Sequence, residues 1–483
     1  MSSLKTNALL NIFNTVTGII FPIVTFPYAA RVLLPEGIGV VNFLQSILSY
    51  VVMLTSLGIP MYAVREVARH RDDVALRNRT TVEILVLSAA LCLLGYAAVW
   101  ALGAFVPQIN ADLGLFYVLS LTILFTSLGA NWFYQAVEDF KFITIRSLVI
   151  RLLSAAGLFL FVKSADDLLI YGFVIVGGTV GNNVVNFVHL RRFIPFGSVR
   201  WSELQVARHL RPAMRIFVLN FVTSIYLELN VVMLGFMKGD AAVGLFAAGN
   251  RLTQIVLTVV ASLCVVVMPR CSNLFETGRM EEFAAVCRKS LHFVVAMSLP
   301  CTLGLIILSQ AVVLIFCGGE FGEASRVLCW TAPVILFIGL SNVFGLQVLY
   351  PQGRETLVIW STVGGAVFNL LLNLLLIPRL AQEGAAISTF AAELTVLVIQ
   401  VIWGRRYFPF RVFERSYLRY VLAALLMAAV VWPLSRSIDN IWGSMAASVI
   451  VGATLYGATL WVLKDPLLRE ILQYAGNIIH RKH

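Results

Sequence analysis

Ionisable side chains inside long apolar runs are the residues of this sequence best suited to chemistry. A charge in a bilayer core is costly, so such residues are rare and usually face one another or water. Guanidinium groups bind phosphate oxygens, and buried carboxylates can exchange protons or cations. The candidate anion-binding groups are Arg31, Arg151 and Arg251, and the candidate ion-coupling groups are Glu228 and Glu393.

Four of these side chains also have a structural interpretation, which the sequence leaves open. Glu228 and Arg251 each lie about 12–15 Å from the outer ends of adjacent antiparallel helices, so they can form a buried ion pair. Arg151 lies about two turns from the inner end of its helix and can extend to the interface. Glu393 is equally compatible with a hydrogen-bonded structural acid.

Arg31 stands where one apolar run ends and the next begins. It can pair with Glu36 or with lipid phosphate at the outer membrane edge. Pro22 and Pro27 favour another arrangement, because proline removes a backbone donor and kinks a helix. We therefore expect a bent first helix that turns Arg31 towards a cavity.

Asparagines within apolar runs form a second candidate group. They occur in "GGTVGNNVVN" at 177–186 and "GGAVFNLLLN" at 364–373. Small residues permit close helix contact, and buried asparagines bond across helices, which is the structural interpretation. The alternative is a polar cavity in which these amides bind sugar hydroxyls. The candidates are Asn182, Asn186 and Asn369.

The composition indicates that the solvent of this chain is a bilayer. Of its 483 residues 59% are hydrophobic and 13% charged, with a mean hydropathy of +0.87. Soluble domains carry roughly 25% charged residues. Seven cysteines without a CxxC pair and six histidines without ligand spacing indicate neither a disulfide framework nor a metal site. We expect no cofactor and no nucleic-acid partner.

Fourteen apolar runs predict an all-α polytopic membrane protein. A crossing helix needs about 20 apolar residues, and these runs do not alternate as barrel strands do. The first run exceeds a secretory h-region of about 7–15 residues, so we interpret it as a retained helix. The predicted spans 1 to 14 cover 7–31, 36–59, 80–104, 112–133, 144–164, 167–190, 213–236, 241–266, 289–316, 324–349, 355–378, 382–404, 416–435 and 440–463.

The distribution of basic residues predicts the orientation. With the N-terminus in the cytoplasm, the inner segments hold 28 of the 36 Lys and Arg residues and the outer segments hold 6. Cytoplasmic loops carry such an excess, so we expect both termini inside. The formal charge of +11 is then mostly a topology signal.

An internal repeat divides the chain. "PEGIGVVNFLQSI" at 35–47 aligns with "DAAVGLFAAGNRL" at 240–252, an offset of 205 residues. Parallel repeats of six spans are typical of two-lobed transporters. We therefore predict two pseudo-symmetric six-helix lobes followed by two further helices. The predicted divisions are an N-lobe at 1–190, a basic cytoplasmic linker at 191–212, a C-lobe at 213–406, and spans 13 and 14 with the C-terminal tail at 407–483.

The stretch "FPYAARVLLPEGIGVVNFLQSILSY" at 26–50, followed by "SLGIPMYAVREVARHRDD", resembles the opening of the Wzx-type polysaccharide repeat-unit flippases. These belong to the multidrug/oligosaccharidyl-lipid/polysaccharide (MOP) exporter superfamily. "VGLFAAGNRL", "YPQGRE" and "GAAISTFAAEL" extend the resemblance over most of residues 1–405. Arg31 matches the arginine of the family's opening pattern. Leu34 departs from it, standing where glycine is common. Asn230 stands where many relatives carry an acid in span 7, near Glu228, so the resemblance adds Asn230 to Glu228 and Glu393 as a candidate ion-coupling or gating position.

The resemblance implies a V-shaped bundle around a central cavity in the bacterial inner membrane. It implies that an undecaprenyl-pyrophosphate-linked oligosaccharide, such as an O-antigen unit of lipopolysaccharide, moves from the inner to the outer leaflet. Cationic groups would hold the pyrophosphate, and a proton or cation gradient or the membrane potential would drive the movement. A polysaccharide polymerase and chain-length machinery are the expected protein partners. Spans 13 and 14 resemble the added helices of lipid II flippases, which are associated with a lipid-tail groove.

Two other transport functions remain open, and a third class is excluded. A cation-coupled multidrug (MATE-like) exporter of the same fold would have an acidic cavity, whereas several arginines there favour an anionic substrate. A lipid II-type flippase is the second alternative. A membrane enzyme is excluded because the outer loops are short and lack carboxylates or histidines at catalytic or metal-binding spacing. No GxxxxGK[ST] motif for ATP hydrolysis occurs.

Overall fold

The computed structural model describes residues 4–195, 201–470 and 473, and it contains helices but no β-strand among them. The helices of the first half are α1 (Leu4–Ser56), α2 (Ile59–Arg69), α3 (Val74–Phe105), α4 (Pro107–Asn110), α5 (Leu113–Leu128), α6 (Asn131–Ala136), α7 (Phe140–Phe161), α8 (Leu168–Leu190) and α9 (Leu210–Lys238). Those of the second half are α10 (Asp240–Glu276), α11 (Met280–Ile307), α12 (Ser309–Cys317), α13 (Ala324–Thr331), α14 (Val334–Asn342), α15 (Glu355–Gly404), α16 (Tyr417–Ser437) and α17 (Ile441–Val462).

All fourteen predicted spans lie in helical segments of the structure. Eleven helical stretches of the described chain are long and apolar enough to cross a membrane. The first and the ninth of these each cover two predicted spans, and α9 covers predicted span 7. The prediction of an all-α polytopic membrane fold is therefore confirmed.

The long helices α1 and α15 are each broken at one residue. Leu34 has φ 61° and ψ 175°, and Ala381 has φ 45° and ψ −125°. The break in α1 falls between predicted spans 1 and 2, and Pro22 and Pro27 lie within the helical part before it. Leu34 precedes Pro35, and proline disfavours helical dihedrals in the residue before it.

The backbone break repeats at the predicted offset. Gly239, which separates α9 from α10, has φ 84° and ψ −175°. It lies 205 residues after Leu34, whose dihedrals are nearly the same. This region of dihedral space is essentially restricted to glycine. The backbone of Leu34 is therefore strained, whereas Gly239, its counterpart in the repeat, adopts the same conformation without strain.

Two glycines at the same offset allow a reciprocal backbone contact. A Cβ atom on Gly39 would lie 1.8 Å from the carbonyl oxygen of Asp240, and one on Gly244 would lie 1.9 Å from that of Pro35. Both the glycine pair and the carbonyl pair are 205 residues apart. The starts of spans 2 and 8 therefore pack closely only because neither glycine has a side chain.

The chain divides into two compact units, Met1–Gly244 and Leu245–His483, called unit 1 and unit 2 below. A core in unit 1 joins α2, α3 and α6 around the fully buried Phe133 and Tyr134. A core in unit 2 joins α10, α11 and α14 around Val260, Val294 and Ile335. Each unit therefore contains buried apolar cores of its own.

Candidate functional site

A polar cavity of about 750 Å³ lies in unit 1 between the second half of α1 and helices α2, α5, α8 and α9. We call it the hydroxyl-lined cavity, since most of its polar lining consists of hydroxyl and amide side chains. Its polar lining residues are Asn42, Gln45, Ser46, Ser49, Tyr50, Ser56, Thr122, Thr126, Thr179 and Glu228. Such a surface can offer hydrogen bonds to a ligand that has many hydroxyl groups.

The spacing of residues in α1 produces one wall of this cavity. Asn42, Gln45, Ser46 and Ser49 recur at helical intervals of three and four, so they share one face of the helix. From position 42 to Ser56 this face extends about 21 Å, a large part of the roughly 30 Å hydrocarbon thickness. The helical spacing of this polar stripe is visible in the sequence, but its residues are uncharged, so a search for ionisable residues in apolar runs does not find it.

Glu228 provides the charge of the hydroxyl-lined cavity. Its Oε2 accepts a hydrogen bond of 2.7 Å from the Ser46 hydroxyl, which joins α9 to α1. Among the described residues that line the cavity, Glu228 is the one ionisable carboxylate and there is no arginine or lysine. The cavity can therefore bind hydroxyl groups, and it can bind or release a proton or cation at one position.

The three candidate arginines have different surroundings. Arg31 and Arg251 are exposed, on α1 and α10 respectively. Arg151 is half-buried, and its Nη1 donates to the Asn14 carbonyl at 2.9 Å and to the Thr17 hydroxyl at 2.6 Å. Arg151 therefore connects α7 to the first part of α1.

The three candidate asparagines differ in their hydrogen bonding. Asn182 accepts a hydrogen bond from Arg146 at 3.0 Å and donates to the Gly178 carbonyl at 2.7 Å. Asn369 is fully buried and accepts from the Asn373 amide at 3.0 Å. Among the described residues, neither side-chain amide atom of the fully buried Asn186 has a hydrogen-bond partner.

The other candidate ion-coupling positions lie within helices. Asn230 is buried, at 6% exposure, two residues after Glu228 on α9. Glu393 is half-buried near the middle of the second part of α15. Within the part of the chain that the structure describes, no group of three His, Cys, Asp or Glu residues is placed to hold a metal ion.

A buried carboxylate cluster fixes the end of the linker that precedes α9. Glu83 is fully buried, and it accepts hydrogen bonds from Arg79 at 3.0 Å and from the Gln205 backbone at 2.8 Å. Arg208 lies 2.6 Å and His209 lies 2.8 Å from its other oxygen. We call these residues the Glu83 cluster. In the sequence Glu83 stands within one turn of the inner end of predicted span 3, where a carboxylate can extend to the interface or pair with a loop arginine, and Arg208 is such an arginine.

His209 is neutral in this cluster. Burial lowers the pKa of His209 against the opposing effect of the Glu83 carboxylate, and the Arg208 charge adds to the lowering. The contact of 2.8 Å with Glu83 assigns the ring proton to Nε2, so Nδ1 accepts from the Tyr62 hydroxyl at 2.7 Å. The neutral ring therefore links α2, α3 and the linker.

Unit 2 contains an apolar cavity of about 650 Å³ between α10, α11, α12, α16 and α17. Its walls are mostly aliphatic and aromatic side chains, including Ile255, Leu305 and Met427. We call it the apolar groove. The Tyr456 hydroxyl donates to the Ala296 carbonyl at 2.7 Å and holds α17 against α11 beside it. The groove therefore suits a hydrocarbon ligand.

A charged contact holds α11 against the start of α16. Arg288 donates to the Glu414 carboxylate at 2.7 Å, and His292 lies 3.5 Å from the same oxygen. Partial burial raises the pKa of the Glu414 carboxyl, but the hydrogen bond from Arg288 acts against it and the pKa stays below its ordinary value. This contact fixes the helices that form the apolar groove.

The fold and these cavities define the class of protein. Apolar helices cross the membrane many times, a polar cavity lies among some of them, and an apolar groove lies among others. Polar residues within membrane helices face protein or water and mark substrate paths. This combination is that of a multi-pass membrane transporter.

The chain belongs to the family described as "Polysaccharide biosynthesis protein", whose model matches residues 4–275. A second model, MatE, matches residues 216–375. The "Putative O-antigen transporter" of Escherichia coli (strain K12) is 24% identical over 386 residues, which are 80% of this chain and 93% of that protein.

Solved structures have the same fold. A lipid II flippase, MurJ, in an inward closed conformation superposes with a TM-score of 0.76 at 16% identity, over 95% of this chain and all of that chain. An inward-facing multidrug resistance MATE transporter of the MOP superfamily superposes with a TM-score of 0.61 at 12% identity, over 81% of this chain and 94% of that one. The chain therefore has the fold of these two transporters, and the relatives named here are transporters and flippases rather than enzymes.

Proposed function

We propose that the protein moves an oligosaccharide linked to undecaprenyl pyrophosphate from the cytoplasmic to the periplasmic leaflet of the bacterial inner membrane. Both termini would lie in the cytoplasm, as the bias of Lys and Arg indicates. Alternating exposure of the transport path to the two sides would carry the polar head across. The O-antigen transporter name of the Escherichia coli relative supports this substrate class.

The hydroxyl-lined cavity is the observation that carries the proposal. An oligosaccharide exposes many hydroxyl groups that lose their hydrogen bonds to water inside a membrane. Hydroxyl and amide side chains replace those bonds without selecting one charge or one sugar. Residues Pro60 and Met61 at one end of the cavity are exposed, beside the basic segment 64–79, so a head group from the cytoplasmic leaflet could enter there.

The pyrophosphate would bind to arginine. Arg31 and Arg251 are the stronger candidates because both side chains are exposed. Arg151 is the weaker candidate, since its side chain is half-buried. Charge-assisted hydrogen bonds to phosphate oxygens have a free energy of about 1.5–3 kcal/mol each. Asn182, Asn186 and Asn369 remain weaker candidates for sugar contacts.

The apolar groove would hold part of the polyprenyl tail. A polyprenyl chain is a hydrocarbon, and this cavity of about 650 Å³ offers it apolar walls within the bilayer. Coupling to a proton or cation gradient would use Glu228, which faces the hydroxyl-lined cavity, with Asn230 on the same helix and Glu393 on α15 as further positions. The polysaccharide polymerase and the chain-length machinery are the proposed protein partners.

Complementation of cells that lack the protein tests the cavity and the arginines separately. Ser49→Phe would fill the hydroxyl-lined cavity and stop surface glycan assembly, while the protein stays in the membrane. The matched control is Thr454→Phe on the exposed face of α17, which should export normally. Immunoblots of membranes and of surface glycan give the two readouts.

For the arginines, the double variant Arg31→Ala/Arg251→Ala should abolish glycan export, and lysine at both positions should restore part of it. Arg436→Ala is the control, since that guanidinium lies 4.3 Å from the ring centre of Trp432 at the end of α16. Normal export by the double alanine variant would reject the pyrophosphate contacts. Normal export by Ser49→Phe would reject the transport path.

One observation favours a second candidate function, a cation-coupled multidrug exporter. The carboxylate of Glu228, and not an arginine, faces the hydroxyl-lined cavity, and a cationic drug favours an acidic cavity. Ethidium efflux from cells distinguishes the two functions. A multidrug exporter would expel the dye in a manner that Glu228→Gln abolishes, whereas an oligosaccharide flippase leaves dye retention equal to that of the empty vector. A lipid II-type flippase would instead restore growth to cells depleted of their own lipid II flippase.

A further inference from the structure

A cleft of about 440 Å³ lies in unit 1 between the start of α7 and the end of α8. Its lining includes Lys141, Phe142, Arg146 and His189, and none of its residues lines the hydroxyl-lined cavity. Under the positive-inside orientation this end of both helices faces the cytoplasm. The proposed function gives this cleft no role.

Arg146 is a buried cation in this cleft with no anion beside it. Arg146 is 8% exposed. Its guanidinium donates to the neutral side-chain amide oxygens of Asn182 at 3.0 Å and Asn131 at 3.2 Å. Among the described residues the guanidinium bonds only to neutral side chains, and its buried Nη1 has no hydrogen-bond partner. A buried charge without a counter-charge is strongly unfavourable, so the site requires an anion.

The groups around Arg146 add donors. Lys141 is exposed at the rim, and Nδ1 of His189 is buried and has no partner among the described residues. The ring of Phe142 lies 5.5 Å from the Arg146 guanidinium and stacks on His189 at 4.2 Å, so it separates the two groups. Asp139 is the acid in the lining, and its Oδ1 accepts the Phe142 backbone N–H at 3.1 Å as the cap of α7.

Apolar side chains flank these donors. Ile145, Val149 and Val185 also line the cleft and are 53%, 48% and 38% exposed. On a membrane protein such exposed aliphatic side chains suit contact with acyl chains. The cleft therefore combines a basic, partly desolvated recess with an apolar surface that continues along both helices.

We propose that this cleft binds the phosphate group of an anionic phospholipid from the surrounding leaflet, independently of the transported substrate. Arg146 supplies the buried charge, Lys141 and His189 supply further donors, and an acyl chain lies along Val149. Basic recesses between membrane helices bind acidic lipid head groups in this way, and arginine suits phosphate oxygens. The lipid neutralises Arg146 and thereby holds α7 against α8 through Asn182.

Native mass spectrometry of the full-length protein in detergent tests this proposal, with phosphatidylglycerol and phosphatidylcholine titrated separately. Phosphatidylglycerol should bind the wild type more tightly than phosphatidylcholine, and Arg146→Gln should weaken its binding about tenfold, as expected for the loss of a charge-assisted hydrogen bond. Lys141→Gln, a change at the exposed rim that leaves the buried contacts intact, should weaken it about threefold, as expected for an exposed ion pair. The control Arg411→Gln, an exposed arginine in the loop before α16, should bind as the wild type does.

Three results would overturn the proposal. The first is unchanged phosphatidylglycerol binding in Arg146→Gln or, if that variant cannot be purified, in Lys141→Gln. The second is equal binding of the two lipids by the wild type. The third concerns free phosphate: if inorganic phosphate raises the melting temperature of the wild type as much as phosphatidylglycerol does, the ligand is a soluble anion and not a lipid.

Discussion

Replacing Leu34 with glycine should stabilise the protein, although glycine normally weakens a helix. Leu34 has φ 61° and ψ 175°, a conformation that Gly239 adopts 205 residues later. A residue with a side chain in such a region carries about 1–3 kcal/mol of backbone strain. Leu34→Gly removes that strain at the junction between spans 1 and 2.

The net effect follows from two opposing contributions. Glycine adds unfolded-state entropy that reduces the gain by about 0.5–1 kcal/mol. Leu34 is 39% exposed, so the loss of its side chain removes only partial packing. The expected gain in the free energy of unfolding is therefore about 1 kcal/mol. For a unit of this size this raises the melting temperature by about 2–4 °C.

The assay is thermal unfolding of the purified full-length protein in detergent, with Gly239→Leu as the reverse change. Within the described structure no atom lies within 4 Å of a Cβ built at Gly239, so that variant isolates the backbone effect. Gly239→Leu should reduce the free energy of unfolding by about 0.5–2 kcal/mol and lower the melting temperature accordingly. A lower melting temperature for Leu34→Gly, or no change for Gly239→Leu, would refute the strain argument.

Three further predictions concern buried contacts in unit 1, each measured as a melting temperature. Glu83→Ala should destabilise the protein by about 3 kcal/mol. This is less than the largest losses measured for broken buried ion pairs, because Arg208 is 38% exposed. A loss under about 0.5 kcal/mol would contradict the Glu83 cluster. Gly39→Val should cost at least the roughly 1–3 kcal/mol of core overpacking. Gly177→Ala, inside α8 and with no atom within 4 Å in the described structure, should instead stabilise the protein by about 0.5–1 kcal/mol; a destabilisation equal to that of Gly39→Val would contradict the close contact. Because the pKa of His209 is lowered on folding, the unfolded chain binds more protons, so stability should fall as the pH drops below about 6.5; a His209→Gln variant with the same pH dependence would contradict this.

Much of the fold follows from the sequence because the bilayer imposes helices on long apolar runs. The fourteen runs all lie in helices, and the offset of 205 residues locates both Leu34 and Gly239. The breaks at Leu34 and Ala381 also fall between predicted spans, since the apolar runs stop at 31 and 378 and resume at 36 and 382.

The candidate sites were less predictable, because a charge in the sequence does not reveal its neighbours. Isolated arginines do not point to the stripe of Asn42, Gln45, Ser46 and Ser49, whose helical spacing is nevertheless visible in the sequence. Arg146 counts among the inner basic residues by its position in the chain, yet it is buried. Its burial depends on how α7 packs against α8, which no local pattern specifies.

Transbilayer movement of a fluorescent undecaprenyl-pyrophosphate-linked oligosaccharide in proteoliposomes tests the central claim most directly. A membrane-impermeant quencher reports how much labelled lipid reaches the outer leaflet. We predict that the wild-type protein makes nearly all of the label accessible to the quencher and that Ser49→Phe leaves about half of it protected, as in empty liposomes. Equal protection in wild-type proteoliposomes and empty liposomes would contradict the assignment as a flippase for lipid-linked oligosaccharides.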